Sequence, residues 1–404
     1  MTIAELTREE ADSATRPILA VSADSHITEP PNMYIDYIDP AFRDRAPHVG
    51  QDPNNGGEAF FVDGFARPIA LGLLAAAGKQ PHEIKVTDEK FSDLHLSGWN
   101  PKYRLADQDR DGVQAEFLYP TVNMLVCNHP DGAYKHACSW AYNRWIQEYA
   151  SEAPDRLFGL GQLIMISPEQ AIADLRKIHD MGLKGVMMPG EPETEDDYDQ
   201  PIWEPFWAAA AEMGMPLSFH VLTGGMTKSF IEGSNMLSGV KREGKALREG
   251  GRGPGIARNL GIVRNCQDIL SMLIFGRVFE RHPTLKVVCV EADAGWAPHF
   301  MYRMDHHYRR HRVWNGFGDM ARMPSEYFME NIYLTFQDDF TAFQFADAMN
   351  PRRLMWASDF PHSDSTWPWS QDVIAQHTKG VSQQNKEWIL RDNCAELYGI
   401  DVVR

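Results

Sequence analysis

ILAVSADSHITEP, residues 18–30, joins a short apolar run to an Asp-x-His triplet, and its reading decides the fold. Residues 18–23, ILAVSA, have the length and composition of a buried strand. Side chains two apart on a strand share a face, so Asp24 and His26 project together from its C-terminal end while Ser25 points away. A carboxylate and an imidazole leaving one strand end are two potential ligands for a divalent ion, and the C-terminal ends of strands are where a parallel barrel places its chemistry.

Working outward, seven further β-rich runs follow at 114–121, 158–166, 184–188, 216–220, 286–291, 331–336 and 353–358. Helical patterns at 132–151, 168–181, 202–213, 265–281, 297–311 and 340–348 lie between them. Ser167-Pro168-Glu169 reads as a helix start, with the serine as cap and the proline at the first helical position. Strands alternating with helices imply a parallel sheet, and eight such units predict an α/β fold of the TIM-like (β/α)8 barrel type. The expected organisation is a flexible arm over 1–17 and one barrel domain over 18–404. Two long insertions leave the C-terminal ends of strands, 28–105 after the first and 221–258 after the fifth. They are placed to form a lid, or else a peripheral or oligomer-contacting excursion.

Composition narrows the partners. With a net charge of −17 the chain lacks the clustered basic residues that nucleic-acid phosphates require. No stretch approaches the roughly 18 consecutive apolar residues of a membrane span, and the first residues lack a signal peptide's basic start and apolar core. Five scattered cysteines without a CxxC pair predict buried thiols in a reducing compartment, so a soluble, cytoplasmic protein is expected.

The chemistry gathers at strand ends. The fifth strand ends in Ser218-Phe219-His220 and the eighth in Ala357-Ser358-Asp359-Phe360-Pro361-His362. A lone histidine there is usually a packing residue and a lone aspartate usually caps a turn. Together, Asp24, His26, His220 and Asp359 put two imidazoles and two carboxylates around one opening, a set suited to zinc, manganese or iron with a position left for water.

At these residues the sequence resembles the amidohydrolase superfamily, in the amidohydrolase-related branch of aminocarboxymuconate-semialdehyde decarboxylase, resorcylate decarboxylases and meta-cleavage-product hydrolases. The resemblance runs from about residue 18 to 400 and is carried by ADSHITEP, WNPKYRLADQDRDGVQAEFLYPT, LSFH, ERHPTLKVVCVEADAGW, NIYLTF and LMWASDFPHSDSTWP. It implies a metal-dependent enzyme in which the strand 1 pair falls on Asp24 and His26, the strand 5 ligand on His220 and the strand 8 aspartate on Asp359. It also implies a homodimer or larger homo-oligomer. Two departures stand out. Asp24 replaces the histidine found in many members, and Glu291 stands where the decarboxylases carry a catalytic histidine at the end of strand 6. The strand 4 lysine that bridges two ions in binuclear members is missing, since that strand ends in Met188-Pro189. One ion is expected, zinc first, with manganese or iron as alternatives, and Glu291 is the one obvious candidate to help hold a second.

Glu291 tilts the expectation toward hydrolysis, with metal-activated water attacking an amide, ester, thioester or vinylogous C–C bond. Non-oxidative decarboxylation of an aromatic or unsaturated acid is the alternative, and a non-catalytic ligand-binding barrel a second one. In the hydrolytic reading Asp359 is the general base and Glu291 shuttles the proton, or else orients His220. His362 donates to an oxyanion or to Asp359, or else stabilises its loop. Trp296 and Trp367, with Trp369, are candidates to wall the pocket for a flat small-molecule substrate, or are simply buried. Lys241, Arg242, Lys245, Arg248 and Arg252 form a basic loop run that reads as solvated, because Glu243 and Glu249 dilute it. His299, His306 and His307 are expected at the surface.

Overall fold

In the computed structural model, which describes residues 18–224 and 263–403, the β-rich runs pair in sequence order. The first strand, Ala20–His26, is buried along its length and runs parallel to the second, Val113–Tyr119. The second pairs with Leu157–Gly159, and after Leu160 the third strand resumes as Gly161–Gln162, which pairs with the fourth, Val186–Met188. Parallel pairing continues through Leu217–His220, Val287–Val290, Ile332–Phe336 and Leu354–Trp356. Just past the eighth strand, Asp359 N donates to Asp24 O at 3.0 Å, His26 N to Phe360 O at 2.7 Å and Ser358 N to Ser22 Oγ at 2.8 Å. These bonds draw the last strand onto the first at the end from which the ligand-capable side chains emerge.

Period-two alternation fills the barrel with Val21, Phe117, Leu160, Met187, Val288 and Met355, while the opposite side chains pack on the outer helices. Tyr398, from the final helix Asn393–Tyr398, stacks on Phe117 at 4.0 Å. The helices Gly132–Ser151, Pro168–Asp180, Glu204–Met213, Val263–Phe275 and Ala297–His311 follow the expected pattern, and Ser167 caps as its sequence implies, accepting from Gln170 N. The single helix expected over 265–281 is two, Val263–Phe275 and Val278–Arg281. A Cβ at Gly276 would stand 2.7 Å from Met272 O, and Arg277 takes a left-handed φ of 60°.

The first insertion folds into a short helix, Met33–Tyr37, and a three-stranded antiparallel sheet of His48–Gln51, Glu58–Phe61 and Ile69–Ala70. From residue 225 the second insertion, with its basic run, lies outside the described residues, as does the arm over 1–17. All five cysteines are buried and free, and no helix of the described residues is long and apolar enough to cross a membrane.

One helix escaped the hydrophobic periodicity. Pro101–Asp111 is capped by Asn100, which accepts from Lys102 N, and closed by Gly112 at φ 71°. The residues it buries are polar: Arg104, Gln108 and Asp111. Glu116, in the middle of the second strand, accepts from Arg104 Nε at 2.5 Å, Gln108 Nε2 at 2.6 Å and Ser25 Oγ at 3.0 Å. Arg104 in turn donates to His26 O at 2.7 Å and Phe360 O at 3.3 Å, with its guanidinium over the Phe360 ring. A buried ion pair therefore holds the backbones of the first and eighth strand ends together. Replacing Arg104 with Met strands the Glu116 carboxylate without a cation and is expected to cost about 3–5 kcal/mol. In urea unfolding, adding Glu116→Leu should recover part of that loss, and an unshifted midpoint in Arg104→Met would show that the pair does not support the fold.

Candidate active site and metal centre

Strand alternation delivers Asp24 and His26 to one side of the first strand end, with Ser25 turned away to Glu116. His220 closes the fifth strand, and Asp359 follows the eighth at a left-handed φ of 52°. His26 Nε2 stands 3.4 Å from Asp24 Oδ1, 3.2 Å from His220 Nε2 and 3.5 Å from Asp359 Oδ1. His220 Nε2 is 3.6 Å from Asp24 Oδ1, and all four side chains are buried. Asp24 and His220 thus meet at His26 Nε2, and Asp359 approaches the same nitrogen from the end of the eighth strand.

Each imidazole is anchored from behind. His26 Nδ1 donates to Pro120 O at 2.8 Å and His220 Nδ1 to Val221 O at 3.0 Å. A carbonyl can only accept, so this network assigns the proton to Nδ1 and turns both Nε2 lone pairs inward. Both carboxylate oxygens of Asp24 and of Asp359 are buried with no hydrogen bond. Burying such groups unpaired is costly, and a cation at their meeting point satisfies them together. Two ligands about 2.0–2.2 Å from one ion stand roughly 2.8–3.6 Å apart at octahedral to tetrahedral angles, a range that contains the spacings seen. The residues present fit a divalent metal ion.

The electrostatics express the same demand for positive charge. Burial opposes protonation of His220, yet Asp24 and Glu291 push it up to about 9. Burial would raise Asp24, but His220 and His26 hold it well below the usual carboxylate range. Asp359 moves the other way: burial, then the charges of Asp24 and Asp364, hold it well above that range. Burial also pushes His362 down to about 3, with the charge of His220 adding to it.

Glu291 follows the sixth strand at φ 56°, with Oε2 at 3.5 Å from His220 Nε2. It meets the inward nitrogen of His220 rather than the Nδ1 already bonded to Val221. His362 Nδ1 lies 3.2 Å from Asp359 Oδ1, its Nε2 lies 2.9 Å from Thr121 Oγ1, and its ring stacks on His26 at 3.9 Å. Thr121 gives its own proton to Ile27 O at 2.6 Å, so His362 Nε2 is the N–H and the Nδ1 lone pair faces Asp359. Trp296 donates from its indole to Ala292 O at 2.7 Å and packs on Phe300 and Phe328. Trp367 is buried between Phe360 and His95, while Trp369 is exposed. Trp296 and Trp367 therefore brace the segments that carry Glu291 and Asp359. His299, His306 and His307 are exposed, as expected.

Two supporting residues were not singled out in the sequence. Thr121 orients His362, and Glu29 accepts from the backbone N–H groups of Thr121 at 3.2 Å, Val122 at 2.9 Å and Asn123 at 3.1 Å. Burial pushes Glu29 up to about 7 against these bonds. The available signal was its place in ADSHITEP, three residues beyond His26.

Comparisons with known proteins agree on the fold. The crystal structure of an amidohydrolase from Mycobacterium avium subsp. paratuberculosis K-10 superposes with a TM-score of 0.71 at 21% identity, covering 95% of this chain and 98% of that one. A dihydroxybenzoic acid decarboxylase from Polaromonas sp. JS666, solved with bound manganese and 2-nitroresorcinol, has a TM-score of 0.58 at 16% identity, covering 94% and 96%. Among curated proteins, the 2-amino-3-carboxymuconate-6-semialdehyde decarboxylase of Dictyostelium discoideum is 26% identical over 334 residues, 79% of this chain and 82% of its own. The gamma-resorcylate decarboxylase of Rhizobium sp. (strain MTP-10005) is 22% identical over 313 residues, 74% and 86%. These relatives overturn the expectation of hydrolysis. It rested on Glu291 in place of a histidine, and one side chain does not set the reaction when the surrounding carboxylates and imidazoles can hold and move a proton without it. A family model described as Amidohydrolase matches residues 92–400, most of the chain, and the protein belongs to that family.

Proposed function

We propose that this protein is a metal-dependent, non-oxidative decarboxylase of an aromatic or unsaturated carboxylic acid. The observation that carries the reading is the convergence of Asp24, His26 and His220 on one buried point, with Asp359 reaching the same His26 nitrogen and buried carboxylate oxygens that a cation would satisfy. The decarboxylase relatives support the choice of reaction. Asp24, His26 and His220 would hold the ion, with Asp359 alongside from strand 8. The manganese bound in the dihydroxybenzoic acid decarboxylase supports manganese over the zinc first expected. When bound, the ion supplies a positive charge that holds the substrate carboxylate and a neighbouring hydroxyl or carbonyl.

The chain's own residues then manage one proton. As the bond to the carboxylate carbon breaks, its electron pair stays on the substrate carbon, and a proton must replace the departing carbon dioxide. Asp359 suits this role, because burial and the charges of Asp24 and Asp364 raise its affinity for a proton above that of an ordinary carboxylate. His362, pushed down to about 3, leaves that proton on Asp359, and its Nδ1 lone pair at 3.2 Å offers a route for reloading it.

Incubated with manganese and a panel of carboxyl-labelled hydroxybenzoates and unsaturated acids in deuterium oxide, the protein is expected to release labelled carbon dioxide. One deuterium should appear at the vacated carbon. Binding of the acids without any release would instead support a barrel that only binds its ligand. Replacing Asp359 with Asn should lower kcat about 10²- to 10⁴-fold at saturating manganese, the usual worth of a positioned acid, with circular dichroism unchanged. Wild-type turnover in that variant would remove Asp359 from the proton transfer. Stripping the metal with a chelator should abolish release and manganese should restore it, whereas full activity in the metal-free protein contradicts a metal-dependent reaction.

A further inference from the structure

Three ligand-capable atoms at the centre have a further partner besides the aspartate that the sequence pattern supplies. The donor atoms of Asp24, His26, His220 and Glu291 all lie within 4.8 Å of one another, whereas Asp359 belongs to an overlapping group with His26, Glu291 and His362. Glu291 is common to both groups.

Three observations bear on what Glu291 does. A carboxylate that merely oriented His220 would accept from the outer nitrogen, and that nitrogen is bonded to Val221 O. Glu291 Oε2 instead stands 3.5 Å from the inward Nε2, a spacing close to the 3.6 Å of Asp24 and the 3.2 Å of His26 from the same atom. These are distances between ligands of one ion. The backbone also bends to bring the side chain there. Glu291 has φ 56°, in a region that costs a residue with a Cβ about 1–2 kcal/mol. The turn is held by Thr335 Oγ1, which accepts from Glu291 N at 3.0 Å. Finally, the orphaned oxygens of Asp24, sealed from water beside it, show that the point on which these atoms converge demands positive charge.

We propose that Glu291 is a direct ligand of the metal ion, on the inward side of His220. The inference rests on the reading above that the centre binds a divalent ion, and it adds a carboxylate oxygen to the ligand set. With Glu291 bound, three carboxylates and two imidazoles face the site, a balance toward oxygen that favours manganese over zinc.

The test measures binding rather than turnover. Metal-free full-length protein is titrated calorimetrically with manganese and with zinc, for wild type, Glu291→Gln and Asp293→Asn. Glu291→Gln keeps the shape and removes the anionic oxygen, so its manganese Kd should rise about 100-fold or more, with a smaller loss for zinc. Asp293→Asn, two residues away, removes a neighbouring carboxyl that belongs to neither group of ligand-capable side chains and should change either Kd by less than about threefold. Equal manganese affinity in wild type and Glu291→Gln overturns the inference, as does a loss in Asp293→Asn as large as in Glu291→Gln. So does a wild type that binds neither ion. Should Glu291→Gln fail to fold, Glu291→Asp, whose carboxylate is withdrawn by one methylene, must show a weakened manganese Kd, and an unchanged value overturns the proposal equally. If the affinities behave as expected but no acid loses carbon dioxide, the decarboxylase reading fails while the ligand assignment stands.

Discussion

Two imidazole nitrogens held 3.2 Å apart and turned inward are the constraint around which this barrel is arranged. Backbone carbonyls at Pro120 and Val221 lock both rings in that orientation, so neither ring can turn its Nε2 away from the centre without losing its hydrogen bond. Unbonded carboxylate oxygens of Asp24 and Asp359 surround them in a region closed to water. Such an arrangement is costly in a folded protein unless a cation gathers it, and the stability of the scaffold has to hold it in place meanwhile.

The scaffold does so through buried polar contacts rather than apolar packing alone. Arg104 ties the carbonyls of His26 and Phe360 together and is itself neutralised by Glu116. The hydroxyls of Ser22, Ser25 and Ser358 lie within 2.9–3.2 Å of one another between the first and eighth strands. Glu29 gathers the amides at the end of the second strand, which positions Thr121 and through it His362. Most of these contacts join segments that are distant in sequence. A shift of one end by an ångström would separate ligand atoms that must share one ion, which is why the supporting residues are buried and multiply bonded.

The same centre also explains why reaction type was hard to read. A divalent ion flanked by carboxylates serves a water attack on a carbonyl and the loss of carbon dioxide with similar residues. Hydrolysis needs a base near water, decarboxylation an acid near carbon, and Asp359 differs between these roles only in whether it carries a proton. That depends on how far burial and the neighbouring charges of Asp24 and Asp364 lift its affinity, a property of the assembled site.

The amino-acid sequence by itself determined the barrel, its strand order and the side of each strand that carries Asp24, His26 and His220, because alternation along a strand is local geometry. It also showed the helix start at Ser167 and placed Asp359 just past the eighth strand. The helix holding Arg104 was missed because it buries polar side chains, which leave little hydrophobic period. Only the tertiary structure decided that Glu291 faces the inward nitrogen of His220, that His362 leans on Thr121, and that Glu116 finds Arg104. Those placements depend on left-handed turns and on contacts between distant strand ends, and neither the turn of a single backbone angle nor the partner of a buried charge is written in the spacing of nearby residues.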